Sequence, residues 1–188
     1  MLSSLVSFSA LAQSETTAPG AHALLSFGIT GGGDEIGYLT YVNGKSVTLH
    51  AGGQVQFGAG ALWQFDTMPI AASLTANYHV DRANAKDGSA RFERTPVELL
   101  AFYTGAGKWR IGGGARFVSG AKGVVEIGGR SASTTFTSKT GVVVEAGYAF
   151  SPHLLVSVRG VSEKYKEEIP FGKSYDGSHV GVNFTYQF

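Results

Sequence analysis

The chain has 188 residues, a formal net charge of +1 and 15% charged residues, well below the roughly 25% of ordinary soluble domains. This length favours a single domain, and the near-neutral charge gives no electrostatic footprint for nucleic acid. The sequence contains no cysteine, so disulfides, thiolate metal sites and a cysteine nucleophile are excluded. No apolar run approaches the roughly 20 residues that a membrane-spanning helix requires. We expect no cofactor.

The N-terminal residues have the composition of a targeting segment. Residues 2–12 are small and apolar and end in Ala10-Leu11-Ala12, as in the hydrophobic region and cleavage site of a secretory signal peptide. The usual positively charged region is missing, because Lys45 is the first Lys or Arg in the chain. We therefore interpret residues 1–12 as a truncated signal peptide, residues 13–20 as a short periplasmic segment and residues 21–188 as the folded domain.

From residue 22 onward, apolar residues recur at every second position in eight segments. The side chains of a strand alternate between two faces, so each segment is predicted to be a β-strand with one apolar face. In chain order the predicted strands span residues 22–30, 54–65, 70–81, 97–103, 109–117, 142–150, 154–159 and 179–188.

The connections between these strands alternate in length. Long polar, Gly-rich or charged connections cover residues 31–52, 82–94, 119–133 and 163–175, whereas short turns cover 66–69, 104–108 and 151–153. In the first long connection, Asn43-Gly44 predicts a two-residue hairpin turn between two further short strands. Such alternation is typical of outer-membrane barrels, in which short turns face the periplasm and long loops face the outside of the cell.

The last strand carries five apolar residues in strict alternation, from Val180 to the terminal Phe188. With the same pattern over all eight strands, this C-terminus resembles the small bacterial outer-membrane β-barrel proteins, the OmpX/Ail-like and OmpA-barrel group. The resemblance implies an all-β fold, an eight-stranded antiparallel up-and-down transmembrane β-barrel. It also implies that Phe184, Tyr186 and Phe188 form the signal read by the outer-membrane assembly machinery, which is therefore an expected partner.

Aromatic residues collect where the apolar faces meet the short turns, as in the interfacial girdle of a membrane barrel. This predicted girdle consists of Trp63, Phe65, Tyr103, Trp109, Tyr148, Phe150, Tyr186 and Phe188. Tyr78 and Phe117 are candidates for the opposite girdle. A soluble, lipocalin-like barrel would instead carry many charges outside, but the polar faces here are rich in Gly, Ser, Gln and Thr. We expect these small residues to fill a narrow lumen.

Five charged residues lie on the predicted inner face: Glu98, Arg110, Arg116, Glu145 and Arg159. Glu145 and Arg159 flank the 151–153 turn at near-equal distances, so we expect them to lie close together. Charges removed from water need partners, which favours a structural network that fills the lumen. The alternative is an ion-conducting or gating cluster in a narrow, porin-like channel.

His79 and Asp81 are both predicted to point inward, and in principle they could form a general base and its orienting acid. Eight-stranded lipid A deacylases and palmitoyltransferases use His with Ser and an acid. No matching motif is present, such as a His-x-Ser adjacent to Asn near the C-terminus. We interpret His79 as a solvated residue near the loop end of its strand and expect no enzymatic activity. A lipid A-modifying enzyme is the least favoured alternative. The other histidines show no metal-ligand spacing, so no metal is expected.

The resemblance implies a structural or surface-interaction role, in adhesion or envelope integrity, through long extracellular loops. It also implies location in the outer membrane of a Gram-negative bacterium, in contact with outer-membrane lipid and lipopolysaccharide. Lysines of the charged connection from Glu163 to Lys173 could contact lipopolysaccharide phosphates, although a solvated loop tip is the simpler interpretation. We expect a monomer with a possible extracellular partner and without nucleic acid.

Overall fold

The computed structural model describes residues 17–40, 46–85 and 88–188. The predicted signal peptide and the Asn43-Gly44 turn lie outside these residues. Within them, no helix has the length and hydropathy to cross a membrane. The described residues form thirteen β-strands: β1 (Gly20–Gly32), β2 (Glu35–Thr40), β3 (Ser46–His50), β4 (Gln54–Gln64), β5 (Ile70–Ala85), β6 (Gly88–Ala106), β7 (Trp109–Ile127), β8 (Arg130–Ser138), β9 (Gly141–Ala149), β10 (Leu154–Ser162), β11 (Lys164–Glu167), β12 (Ser174–Asp176) and β13 (His179–Gln187).

Eight of these strands close into an antiparallel up-and-down barrel. The order around the wall is β1, β4, β5, β6, β7, β9, β10 and β13, and β13 returns to pair with β1. The closing seam runs from Leu24 opposite Gln187 to Gly32 opposite His179. Closure gives the backbone groups of the wall interstrand partners, so the wall has no free edge. The predicted fold class is confirmed, with one barrel strand at each of the eight predicted positions.

The outer face of the wall is apolar. Side chains such as Leu25, Leu74, Leu99 and Val158 are more than half exposed, while their neighbours in sequence point inward. A lipocalin-like barrel has the reverse arrangement, with its polar side chains outside. The outward-facing apolar residues include Leu25, Ile29, Phe57, Leu74, Leu99, Ile111, Val142, Val144, Val158 and Val180.

Aromatic rings border this apolar face at the turn side of the barrel. Tyr148 contacts Trp109 and Phe150, with ring centroids 5.2 Å apart in both pairs, and Tyr186 lies 4.9 Å from Phe188. These contacts agree with the predicted girdle. On the loop side, the Tyr78 hydroxyl donates a hydrogen bond of 3.0 Å to Glu93.

Two of the predicted long loops are largely β-structure and a third is partly so, and those parts of the prediction are wrong. Strands β5 and β6 continue to Ala85 and from Gly88, and β7 continues to Ile127 before the chain returns as β8. The charged connection contains β11 and β12. Strand β8 pairs with the outer half of β7, β11 pairs with β8 and β12 with β11, forming a sheet extension beyond the loop-side rim. This extension is rich in polar residues, so its sequence lacks the alternation of apolar residues on which the prediction of strands depends.

The first long connection forms a hairpin, as predicted. Strands β2 and β3 pair antiparallel, from Glu35 opposite His50 to Thr40 opposite Ser46. A backbone hydrogen bond of 2.7 Å from Asp34 N–H to Asp176 O ties the hairpin to β12, and one of 2.9 Å from Ala51 N–H to Asp34 O closes its base.

Candidate functional site

Apolar side chains narrow the turn side of the lumen. Leu24, Leu62, Leu100 and Phe102 point inward from three strands and pack together as a buried cluster. Leu62 and Leu100 lie on the inner faces of their strands, where most residues are polar. They are apolar because they pack in this cluster. The Arg110 guanidinium lies 4.6 Å from the centroid of the Phe102 ring.

A buried ion-pair network crosses the middle of the lumen. The two carboxylate oxygens of Glu98 accept hydrogen bonds from Arg116 Nη1 and from Arg159 Nη2, the latter at 2.8 Å. Arg159 Nη2 also lies 3.3 Å from Glu145 Oε2. Strand register explains these pairs, since Glu98 lies opposite Arg116 and Glu145 lies opposite Arg159. Four of the five predicted lumen residues therefore meet. Arg110 lies over Phe102 with no carboxylate oxygen of the described residues within 4 Å, and Glu145 acts on it only from a greater distance.

Glu163 joins this network to the loop-side rim. It follows β10 directly, and Oε2 accepts a 2.8 Å hydrogen bond from Arg116 Nε. Oε1 accepts a 2.7 Å hydrogen bond from the Tyr165 hydroxyl and lies 3.7 Å from Arg94 Nε. The sequence prediction placed Glu163 in a solvated loop, which is wrong because its exposed fraction is 2%. The missed signal is that residues 159, 161, 163 and 165 continue one alternating face.

His79 is completely buried between two arginines, so its prediction as a solvated residue is wrong. The Thr30 hydroxyl donates to Gly52 O at 2.9 Å and lies 2.9 Å from His79 Nε2, which is also 3.1 Å from Arg94 Nη2. Nδ1 of the same ring lies 3.1 Å from Arg116 Nη2. Both ring nitrogens of His79 therefore have polar partners inside the barrel.

Asp81 does not orient His79. Its Oδ2 accepts a 2.8 Å hydrogen bond from the backbone N–H of His50, which ties the carboxylate to the β3 side of the rim. The base and acid arrangement considered from the sequence is therefore not formed by these two residues. Across the described residues, no cluster of three or more His, Cys, Asp or Glu side chains could hold a metal ion.

A small cavity of about 30 Å³ lies inside the lumen. Polar side chains line it, among them Ser26, Thr75, Asn77 and Asn183. This volume accommodates about one water molecule, which such polar walls can hydrogen-bond. The charged side chains in the middle of the lumen, Glu98, Arg116 and Arg159, are buried and occupy the barrel interior.

Aromatic side chains cover the ion-pair network on the loop side. The Phe92 ring lies 5.4 Å from Phe136 and 5.3 Å from Tyr165, in edge-to-face geometry. The Arg94 guanidinium stacks 5.0 Å from the Phe92 centroid. Ala51 and Ala121 complete this buried cluster, so the base of the sheet extension separates the charges from solvent.

The hairpin between β11 and β12 ends in a tight turn that exposes an aromatic ring. Gly172 N–H donates to Ile169 O at 2.9 Å, with Pro170 and Phe171 between them. Phe171 is fully exposed and has a φ of 60°, at the turn position where a type II turn normally carries Gly or Asn. A positive φ is unfavourable for a bulky residue, so the turn requires support from its surroundings.

Glu167 supplies this support from the base of the turn. Its Oε2 accepts a 3.0 Å hydrogen bond from Lys173 N–H, and its Oε1 accepts one of 2.9 Å from the Tyr175 hydroxyl. The backbone hydrogen bond from Lys173 is the main reason that the pKa of Glu167 is lowered from its usual value. The carboxylate therefore holds the two arms of the turn together.

The predicted assembly-signal residues lie on the outer face of the closing strand. Phe184, Tyr186 and Phe188 are all exposed toward the surroundings of the barrel. Phe188 N–H donates a 3.0 Å hydrogen bond to Ala23 O, which extends the seam between β13 and β1 to the last residue.

Solved structures of small outer-membrane barrels have the same fold as this chain. Neisserial surface protein A (NspA) is 12% identical, with a TM-score of 0.54, over 90% of this chain and 97% of that one. Ail, the attachment invasion locus protein of Yersinia pestis, is 14% identical with a TM-score of 0.54, over 91% of this chain and 100% of its own. A second Ail structure, in complex with the heparin analogue sucrose octasulfate, is 11% identical with a TM-score of 0.51 over the same shares.

No protein-family model matches the chain, and no curated protein sequence matches it. Because the sequence identities to these solved structures are low, the likeness establishes the fold alone. The role of the loops follows from the residues themselves.

Proposed function

We propose that this chain is an outer-membrane protein of a Gram-negative bacterium whose sealed barrel anchors an extracellular interaction surface. The observation that supports the proposal is the sheet extension of β5–β8, β11 and β12, which stands on the rim of a filled lumen. The apolar wall and the turn-side aromatic girdle fit a lipid bilayer with its polar interfaces. In this orientation the short turns face the periplasm.

The filled lumen disfavours a porin-like channel. An ion would have to pass a cavity of about 30 Å³ and the buried pairs of Glu98 with Arg116 and Arg159. We therefore propose a structural role for the network and expect no conductance in planar bilayers. Channel openings that change in Glu145→Gln or Arg159→Gln would contradict this role.

The proposal includes no catalytic activity. His79, the residue considered as a general base, is held by Thr30 and Arg116 in the barrel interior. Unchanged lipid A mass on expression of the protein is the expected result. A mass change that is abolished by His79→Ala would instead establish an enzyme.

We place the main contact of the interaction surface at the turn from Ile169 to Gly172. Phe171 and Ile169 are exposed apolar side chains at the tip of a polar sheet, and Glu167 preorganises the turn that carries them. Rigid, protruding aromatic residues are frequent hot spots of protein interfaces. The name of Ail, an attachment invasion locus protein with the same fold, is consistent with adhesion as the role.

Surface expression in a non-adherent Gram-negative host tests this proposal. Cells carrying the protein should adhere to cultured epithelial cells or to extracellular matrix, and Phe171→Ser should reduce adhesion about 10-fold or more, as for loss of an interface hot spot. Ile127→Ser is the control, since Ile127 is also an exposed apolar residue and lies at the tip of the neighbouring β7–β8 hairpin. Equal adhesion by cells with and without the protein would refute an adhesive role.

We further propose a monomer that the outer-membrane assembly machinery inserts and that lipopolysaccharide surrounds. The lysines at the base of the β11–β12 hairpin, Lys164 and Lys166, are exposed and suited to lipopolysaccharide phosphates. Crosslinking in whole cells, with the monomeric band as the expected result, tests the oligomeric state.

A further inference from the structure

Arg110 differs from the other inward-facing arginines of the barrel. Arg94, Arg116 and Arg159 each lie within 4 Å of a carboxylate oxygen. Arg110 is 8% exposed, and within the described part of the chain it has neither an ion pair nor a side-chain hydrogen bond. Glu145 attracts the guanidinium from a greater distance, but Arg110 Nε has no hydrogen-bond partner, and a buried guanidinium that is incompletely paired is energetically costly.

The Arg110 side chain lies between two cavities. On one side is the small lumen cavity, and on the other is a cavity of about 480 Å³ at the turn-side mouth of the barrel. The mouth cavity is of the size of small-molecule binding sites. Arg110 is thus at the inner end of a compartment that opens away from the loops.

The mouth cavity presents further hydrogen-bond donors beside Arg110. Lys108 adds a second positive charge near the opening. Thr104 accepts from Gln64 Nε2 at 3.2 Å, and Ser151 accepts from Leu154 N–H at 3.1 Å, so both hydroxyls keep a proton to donate. The carboxylate of Asp66 also lines the cavity. Because it repels anions, an anionic ligand should bind at the Arg110 end of the cavity.

The remaining walls of the mouth cavity are apolar. Met68, Trp109, Leu154 and Leu155 line it together with the polar groups. A ligand that fits this combination has an oxyanion at one end and an apolar body at the other. The planar guanidinium fork suits carboxylate and phosphate groups, which it can bind through two parallel hydrogen bonds.

We propose that the turn-side mouth of the barrel binds a small amphipathic oxyanion, with its carboxylate or phosphate group on Arg110 and Lys108. The site is separate from the loop-side interaction surface and does not depend on the adhesive role. In the orientation proposed above, it opens to the periplasm.

Titration of the protein in octyl glucoside micelles tests this site. The probes are phenyl phosphate and benzoate, with inorganic phosphate and acetate as the same anions without an apolar body, all at constant ionic strength. The readout is the ¹⁵N–¹H resonance of the Arg110 Nε group, assigned by its loss in Arg110→Gln. We expect a saturable shift of this resonance with phenyl phosphate or with benzoate. The probe that binds more tightly identifies the anionic group that the site prefers. The corresponding anion without a ring should bind several-fold more weakly, because it makes no contact with the apolar walls of the cavity.

Two variants control the titration. Lys108→Gln should weaken binding about three-fold, as for loss of one exposed charge pair, and it leaves the buried residues intact. Arg91→Gln removes an arginine of the sheet extension and should leave binding unchanged. Shifts that rise linearly with every probe, or that persist equally in Lys108→Gln, would indicate general charge screening and overturn the site.

The chain itself offers one competing anion. Glu15 precedes Thr17, which lines the mouth cavity, by two residues in the sequence. If Glu15→Gln moves the Arg110 resonance without any probe and strengthens probe binding about 10-fold, the carboxylate of Glu15 is the partner and the external ligand is refuted. An unchanged resonance in Glu15→Gln supports the proposed site.

Discussion

At the scale of single residues, Glu163 has the largest structural consequence. Its carboxylate lies between Arg116 and Arg94, accepts a hydrogen bond from Tyr165 and lies 3.6 Å from His179 Nδ1. These partners come from the barrel wall, the rim and the sheet extension. One side chain therefore couples the closure of the lumen to the position of the sheet extension.

Replacing Glu163 by Gln should destabilise the barrel strongly. The amide keeps the shape of the side chain, but it removes the negative charge that neutralises Arg116 and Arg94. Removing one partner of a buried ion pair lowers the free energy of unfolding by about 3–5 kcal/mol, and urea unfolding in micelles measures this loss. Glu168→Gln, at an exposed position five residues later, should leave the midpoint unchanged. Equal midpoints for the two variants would contradict the role of Glu163.

Glu167 makes the order of the exposed turn dependent on pH. Its pKa in the folded protein is lowered, chiefly by the hydrogen bond from Lys173 N–H. A lowered pKa means that the carboxylate stabilises the turn above the usual glutamate range and that this contribution is lost as the pH falls through the lowered pKa. We expect hydrogen exchange of the Lys173 amide, corrected for intrinsic rates, to lose protection between neutral and strongly acidic pH. Glu167→Gln should lack this transition.

At the scale of elements, the strands are longer than the apolar belt requires. Strands β6 and β7 each have 19 residues, whereas a strand of about 9–11 residues crosses a bilayer. In their outer halves, Phe92 and Ala121 pack with Phe136 in a buried cluster. The same two strands thus form part of the wall and part of the sheet extension, which joins the extension rigidly to the barrel.

Close strand packing inside the barrel depends on the glycines of β7. A Cβ at Gly114 would overlap the carbonyl oxygen of Leu99 and lie 2.9 Å from Leu100 Cα on the neighbouring strand. Gly114→Ala should therefore force the two strands apart and cost about 1–3 kcal/mol in urea unfolding. Gly31→Ala is the matched control, because a Cβ there meets no atom within 4 Å. A Gly114→Ala variant as stable as Gly31→Ala would show that the wall can relax.

At the scale of the whole molecule, closure of the barrel is the decisive event. Strand β13 pairs with β10 on one side and with β1 on the other, so the last strand completes the wall. Until this happens, both β1 and β10 have unpaired edges, which are untenable in lipid. Closure therefore depends on contacts between the two ends of the chain.

Deletion of Phe188 should block assembly in cells. The deletion removes the terminal ring, which we expect the assembly machinery to read, and the hydrogen bond to Ala23. We expect little heat-modifiable protein in outer-membrane fractions, while the same variant refolds into micelles. Phe150→Ala, which removes another exposed ring on the turn side, should assemble at wild-type levels. Normal membrane levels of the truncated protein would contradict the reading of Phe188 as a signal.

The alternation of apolar residues was sufficient to predict the barrel but not the extent of its strands. Leu25 and Leu74 face outward as predicted, because two-residue periodicity and an apolar surrounding determine the orientation of each side chain. The outer parts of β6 and β7 were predicted as loops, because strands that are polar on their exposed face carry no such periodicity. Glu163 was placed in a loop for the same reason, although its position continues the inward face of β10.

The sequence by itself determined the eight-stranded wall, its apolar outer face, the girdle and the pairing of Glu145 with Arg159, because each follows from local alternation and turn length. Only the tertiary structure decided which distant charges meet, as Glu98, Arg116 and Glu163 do. It also decided that Arg110 has no carboxylate oxygen within 4 Å among the described residues. The physical reason is that closure brings together side chains whose separation along the chain carries no information about their distance across the lumen. Both contributions determine the position of Phe188. Alternation in the sequence predicts its strand, and closure of the barrel pairs Phe188 with Ala23.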